Sequence, residues 1–504
     1  MAVQKKTDKI QVVKFVSVAL TSVVLVIAIA IVFSNNAYRQ AAPVSQALSA
    51  ARATDGSYIS WKEHRIDDEK LAGGLALRGA DGLQLADLDQ DGYVDVVSVH
   101  EDSGHIRIAF GNKDPDRWMS MTLASGPLVG GVEDVDIADV NRDGWLDLLF
   151  ACEDGTILYY QNPGRQVRRS DAWKSTVPES TKGRGSWIKV YTADLDNDGD
   201  LEMIATNKGI KMYAGQGPMG DNKTAVSWFK IPDDPLEAEG WKEHELGRFI
   251  VPVNSRPVDI DRDGDTDIVA GTRGEARMVV FENDGAGRME FTERPIVPNG
   301  RNVPRKPILP KKFSGMVMAY GDLNLDGRLD IVTFETPWSI VWLEQPDDLD
   351  KSWQVHPLAA LFPDSPTALT LEDINGDGQL DLLTGGYSQE PRDRDVRDPS
   401  LFHRAGGIVW FEQPTTDQPW IRHDISRRSR GMFDAFIPWD VNGDGHMDFV
   451  GTRGNSDLFD GVVWIEQVRS SAPAPSFTPA RKVDSQQLPP PPKWLQGVAT
   501  MLLQ

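Results

Sequence analysis

The sequence has one cysteine, Cys152, in 504 residues. No internal disulfide can form, so a chain of this kind working in an oxidising compartment needs another source of stability. Positive charge is also in short supply: 53 Lys and Arg stand against 75 Asp and Glu, giving a formal net charge of −22 and a pI near 4.8. Repulsion from phosphates over most of such a surface argues against a nucleic-acid binder. Catalytic signatures are missing too, with no nucleophile elbow, no phosphate-cradling glycine loop and no zinc-ligand spacing.

Long apolar runs are absent apart from one of 19 residues, Phe15 to Phe33, whose only polar members are Ser17, Thr21 and Ser22. That length suffices to cross a bilayer. Lys5, Lys6, Lys9 and Lys14 precede it, so residues 1–14 are expected in the cytoplasm and everything after Asn35 outside, in an extracellular or periplasmic space. A cleaved signal has a shorter apolar core, and Ser34 to Arg39 is a poor cleavage site, so a signal-anchor over 15–33 is expected, with a cleaved secreted form as the alternative. Residues 34–57, with several Ala and Ser, read as a tether.

The chain is rich in one repeated loop. In Asp259-Ile260-Asp261-Arg262-Asp263-Gly264-Asp265-Thr266-Asp267, acids fall at every second position and a glycine breaks the run. Positions one, three and five can aim oxygens at one centre, position seven can offer its carbonyl and position nine can close the shell, all hard donors suited to Ca²⁺. Gly264 permits the positive φ that folds such a loop. Six further copies carry the pattern. They are Asp87, Asp89, Asp91, Gly92, Asp95; then Asp139, Asn141, Asp143, Gly144, Asp147; then Asp194, Asp196, Asp198, Gly199, Glu202. After the copy at Asp259 come Asp322, Asn324, Asp326, Gly327, Asp330; Asp373, Asn375, Asp377, Gly378, Asp381; and Asp440, Asn442, Asp444, Gly445, Asp448.

The copies start 51 to 67 residues apart, a period that suits a four-stranded blade with variable loops. Each loop runs into an apolar, often β-branched stretch such as Ile268-Val269 or Phe449-Val450, which reads as strand B. A following strand C often ends in an aromatic word, as in Trp342-Leu343-Glu344-Gln345 and Trp464-Ile465-Glu466-Gln467. Strand D recurs as Trp-x-x-His at Trp61, Trp241, Trp353 and Trp420, a shared blade phase that marks these histidines as structural. The last copy lacks strand D, while Ile59 to Ile66 is a D strand without a blade. The expected fold is therefore all-β: a seven-bladed β-propeller over 58–467, closed by that N-terminal outer strand pairing with the last blade, plus one N-terminal transmembrane helix.

Across 58–467 the repeats resemble the FG-GAP or VCBS family, which builds integrin-α-type and exported bacterial propellers. The literal Phe-Gly and Gly-Ala-Pro words are absent apart from Phe110-Gly111, which favours the broader VCBS-like group. The resemblance implies Ca²⁺ in the loops, up to seven ions, which would offset much of the net charge of −22. Their role is expected to be structural, at affinities of about 10⁻⁴ to 10⁻³ M that suit a site outside the cytoplasm.

In a propeller the A–B turns lie on one face and the B–C and D–A connections on the other, so recognition is sought opposite the calcium. Cations recur in those connections, and Arg273, Arg305, Arg430 and Arg453, with His403, are the candidate ligand-face residues. They point to a membrane-anchored binding or adhesion module for an anionic glycan or protein ligand. The alternative is a propeller enzyme acting on carbohydrate as a lyase, hydrolase or dehydratase. Residues 468–493, with Pro489 to Pro492, read as a linker, and 494–504 as a short amphipathic segment.

Overall fold

The computed structural model describes residues 31–209, 223–285, 287–299, 313–389, 391–414, 418–495 and 497. They form seven antiparallel sheets. Blade one has A at Ala80–Ala86, B at Asp95–His100, C at His105–Phe110 and D at Met119–Ser125. The A strands of the remaining blades are Val132–Ala138, Ser186–Ala193, Pro252–Val258, Met318–Gly321, Thr370–Glu372 and Phe436–Trp439.

Each blade is sandwiched between two others, so its middle strands must be apolar on both faces. Strand B is buried at every residue in blades one, two, four, six and seven, which is why its sequence shows an apolar stretch without the alternation of a half-exposed strand. Seven hydrophobic clusters fill the seven interfaces around the ring. Val97 and Ile108 of blade one meet Leu148 and Phe150 of blade two, and Val450 and Trp464 of blade seven meet Val96 and Ala109 of blade one. Near the axis the backbones touch: a Cβ on Gly82 would stand 2.8 Å from the Asp134 Cα.

The ring closes as expected. Tyr58–Asp68 pairs antiparallel with Gly461–Ser470, from Tyr58 opposite Ser470 to Asp68 opposite Gly461, with a bulge between Arg65 and Asp67. The histidines of the Trp-x-x-His strands sit directly opposite a strand-C tryptophan and stack on it: His64 on Trp464, His244 on Trp228, His356 on Trp342 and His423 on Trp410, with ring centroids 3.9 to 4.3 Å apart. Three of them also bond the strand-C glutamate two residues on, at 2.6 to 2.7 Å, and His244 has Lys230 at that place instead.

Residues 31–57 and 471–495 pack onto the ring, which corrects the reading of 34–57 as a tether and 468–493 as a linker. Residues 31–40 are helical and Tyr38, Val44, Ala51 and Ala53 are buried. Phe477–Thr478 adds a parallel strand to Trp61 and Lys62, and Phe477, Leu488 and Leu495 are buried. The two ends hold each other, with Val44 N–H on the Leu488 carbonyl at 2.9 Å and Ser476 N–H on the Ala47 carbonyl at 2.8 Å. Apolar residues spaced among the prolines make this possible. No helix among the described residues is long and apolar enough to cross a membrane. The 15–33 span falls mainly, and residues 498–504 wholly, outside the described residues.

Candidate functional site

All seven acidic loops are A–B turns. In every copy the carboxylate at position one accepts the N–H of the glycine at position six, at 2.8 to 3.2 Å. These glycines have φ between 83° and 99°, a conformation that other residues adopt only at a cost. Position four is left-handed as well in every copy, which the sequence does not announce. Five copies place Gln90, Arg142, Asn197, Arg262 and Leu325 there at φ of 56° to 62°, and only Gly376 and Gly443 signal the conformation.

Position nine is buried and works from inside the blade. Asp267 accepts the Ile260 N–H at 3.0 Å on one oxygen and the Asn283 N–H, from the end of strand C, at 2.8 Å on the other. Asp95, Asp330, Asp381 and Asp448 repeat this pair of bonds. Burial nevertheless pushes Asp95, Asp267, Asp330, Asp448 and Glu202 up to about 7, Asp381 up to about 8 and Asp147 up to about 6. At these positions burial outweighs the backbone donors, and a bound cation would favour the ionised form.

The residues present fit one. Oxygens of Asp87, Asp89 and Asp95 lie within 4.8 Å of one another, as do those of Asp194, Asp196 and Glu202 and those of Asp259, Asp261 and Asp263. Asp259 Oδ1 is buried without a donor. The other four loops have Asn at position three, whose amide donates to the position-five carboxylate at 2.9 to 3.3 Å, so one charge is missing and another is locally bonded. The donor set in all seven is hard oxygen, the chemistry of a calcium ligand shell.

The opposite end of the ring axis holds a cavity of about 970 Å³, to which all seven A strands contribute. Glu101, Lys208, Arg273 and Tyr387, from B–C turns or their edges, line it as well, which places its mouth on the face away from the loops. Its charged lining is mixed, with Asp81, Glu101, Glu133, Asp134, Asp136 and Asp434 against Lys189, Lys208, Arg256 and Arg273. Lys189 Nζ reaches Asp134 at 2.9 Å, and Asp136 accepts from the Thr192 hydroxyl at 2.6 Å and its N–H at 2.7 Å. Lys208 pairs with Glu153. The Tyr191 hydroxyl donates to Asn254 at 3.0 Å, and the Arg256 guanidinium stands 5.8 Å from the Tyr320 ring. Burial raises Asp81, Glu133, Asp134 and Asp434 above the ordinary carboxylate range and takes Asp136 up to about 6.

Among the expected ligand-face residues, Arg273 alone reaches this cavity; it is exposed to its solvent, yet the surrounding wall still lowers its pKa by burial. Arg305 lies outside the described residues. Arg453 and Arg430 are corrected: both are buried beneath the returning chain ends. Arg453 is fully buried and held by Asp484 of the C-terminal segment at 2.5 and 2.9 Å, and Arg430 by Asp395 at 2.9 Å. His403 is half-buried against the Ser429 carbonyl at 3.0 Å, and burial lowers its pKa. Arg453 and Arg430 are thus neutralised by carboxylates, one from the segment expected as a linker and one from residues 391–404.

The cavity acids went unread in the sequence, although a signal was there. Asp81, Glu133 and Asp434 each stand six residues ahead of their loop, in blades one, two and seven, which are neighbours in the ring; the other blades have Ile188, Val253, Met316 and Thr367 at that position.

A family model described as FG-GAP-like repeat matches residues 87–150, 139–205, 259–333 and 322–384. No match is found among curated proteins. Among solved structures, similarity is found to an Agrocybe aegerita lectin described as recognising non-reducing terminal N-acetylglucosamine, at 15% identity, covering 71% of this chain and 83% of the lectin, with a TM-score of 0.43. A Saccharomyces cerevisiae core factor structure is similar at 12% identity, covering 84% of this chain and 63% of that one, with a TM-score of 0.44. The chain is a seven-bladed β-propeller, and within it residues 87–205 and 259–384 match the FG-GAP-like repeat.

Proposed function

We propose that this propeller is a calcium-stabilised binding module, exported and held at a membrane by its N-terminal run, whose ligand site is the axial cavity on the face away from the metal loops. One observation carries the reading: all seven A strands bring polar or aromatic side chains to a single cavity of about 970 Å³, a size that suits a small ligand or the end of a larger one. The mixed lining favours a polar, hydroxyl-rich ligand such as a glycan, whose hydroxyls carboxylates and lysines can bond and whose sugar faces Tyr191 and Tyr320 can cover. A purely anionic ligand fits less well there, because six acids outnumber four cations.

The test is a glycan array probed with the full-length protein in calcium. Arg256→Ala and Tyr191→Phe should weaken any hit about tenfold with little change in melting temperature, and hits indifferent to both would place the ligand elsewhere. An enzymatic reading rests on the adjoining carboxyls of Asp81 and Asp434, and product analysis of the array hits separates it from binding.

A further inference from the structure

Asp81 is 8% exposed, lines the axial cavity, and its Oδ2 is buried without a hydrogen-bond donor from the protein. Its neighbour is not a cation but the Asp434 carboxyl, whose charge adds to burial in raising Asp81 well above the ordinary carboxylate range. Two ionised carboxylates side by side at low dielectric repel, so the pair favours keeping one proton in place of a second charge. The two residues stand six positions ahead of their loops in adjacent blades, and Glu133 does so in the next blade, so an arc of acid faces one side of the cavity. The other charged groups that face the pair are Glu101, and on the Asp434 side Lys189 and Arg392. Lys189 is already bonded to Asp134, and Arg392 to Asp102 at 2.6 Å. The orphaned oxygen therefore lacks a donor that neither cation supplies.

We infer that the Asp81–Asp434 pair is the recognition point for a protonated amine on a polar ligand, an amino sugar or a short polyamine, which enters in exchange for the shared proton. This rests on the reading of the axial cavity as the ligand site. The exchange balances: one R–NH₃⁺ goes in, one H⁺ goes to solvent, and the ligand's N–H groups supply the donors that Asp81 Oδ2 lacks. A neutral sugar could occupy the same cavity, but it would displace no proton.

The experiment uses the full-length protein in calcium at pH 7, with glucosamine, 1,4-diaminobutane and glucose as probes, followed by saturation-transfer NMR and calorimetry. Both amines are expected to bind at least tenfold more tightly than glucose, and Asp81→Asn and Asp434→Asn to remove that advantage. Calorimetry of the unmodified protein in two buffers of different ionisation enthalpy is expected to show proton release on amine binding, a readout that needs no variant to fold. Failure of both amines to bind, or binding without proton release, overturns the inference. Equal binding of glucose and glucosamine, sensitive to Arg256→Ala, overturns it while leaving the cavity as the ligand site.

Discussion

The side-chain amide of Gln345 donates to the Ile260 carbonyl, 2.9 Å away in the preceding blade. Its backbone N–H meanwhile bonds the position-nine carboxylate of its own loop, Asp330, at 3.0 Å, and its side-chain oxygen accepts the Leu329 N–H at 3.1 Å. Asn162, Asn283, Gln413 and Gln467 repeat the bond to the preceding blade's loop, reaching Leu88, Leu195, Leu323 and Ile374. The amide that ends the aromatic word of strand C is thus a latch between neighbours, and the loops it grips are the acidic A–B loops.

Gln345→Met keeps the volume and removes the latch, stranding a buried carbonyl and a buried N–H. The expected cost is about 1–3 kcal/mol, read as a shift in urea midpoint at constant slope. A change below about 0.3 kcal/mol would show that water replaces the amide and that the latch contributes nothing.

Leu325 is 66% exposed and left-handed at φ 59° in the fifth loop, where the sixth and seventh loops use Gly376 and Gly443. A branched side chain at such a φ costs about 1 kcal/mol or more, against a smaller entropic loss on introducing glycine. Leu325→Gly is expected to raise stability by about 0.5 kcal/mol, measured by thermal unfolding in calcium. A loss of stability would mean that the leucine is held by a contact outside the loop.

Calcium bound to loops whose position-nine acids are buried and reluctant to ionise should stabilise the ring by mass action. Chelation is expected to lower the melting temperature by many degrees, with restoration by Ca²⁺ and a bound-metal count of up to seven by elemental analysis. Asp263→Ala, which removes the position-five carboxylate that every copy keeps, should reduce the count by one. An unchanged melting temperature in chelator would remove the structural role.

How much of this was legible follows from where each residue's partners lie. Blade number, ring closure and the Trp-x-x-His strands were readable because their signals are local words repeated in phase: Trp464 and His64 find each other only because each sits at a fixed place in its own strand. The axial acids were missed because Asp81 and Asp434 are 353 residues apart in the chain and meet only through closure of the ring. The arginines were misplaced for a related reason. Arg453 looks like a free loop cation until the proline-rich segment brings Asp484 back to it, and nothing near residue 484 advertises a docking strand.

That contact supports a last prediction. The side chains of Arg453 and Asp484 are 0% and 6% exposed, so removing one leaves the other buried and uncompensated. Asp484→Asn is expected to cost about 3–5 kcal/mol in the docking of the C-terminal segment, seen as faster proteolysis within residues 471–495 while the blades stay folded. The pH dependence has a definite sign. Burial would raise the Asp484 carboxyl, but Arg453 and Arg428 outweigh it and hold the group well below the usual carboxylate range. A carboxylate depressed on docking contributes fully above its free value of about 4 and progressively less as the pH falls toward its docked value. The difference in protection between the wild type and Asp484→Asn should therefore be constant from about pH 5 to 8 and narrow on acidification below about pH 4. A difference that instead shrank between pH 6 and 8 would assign the docking energy to another titrating group and remove Asp484 from that role.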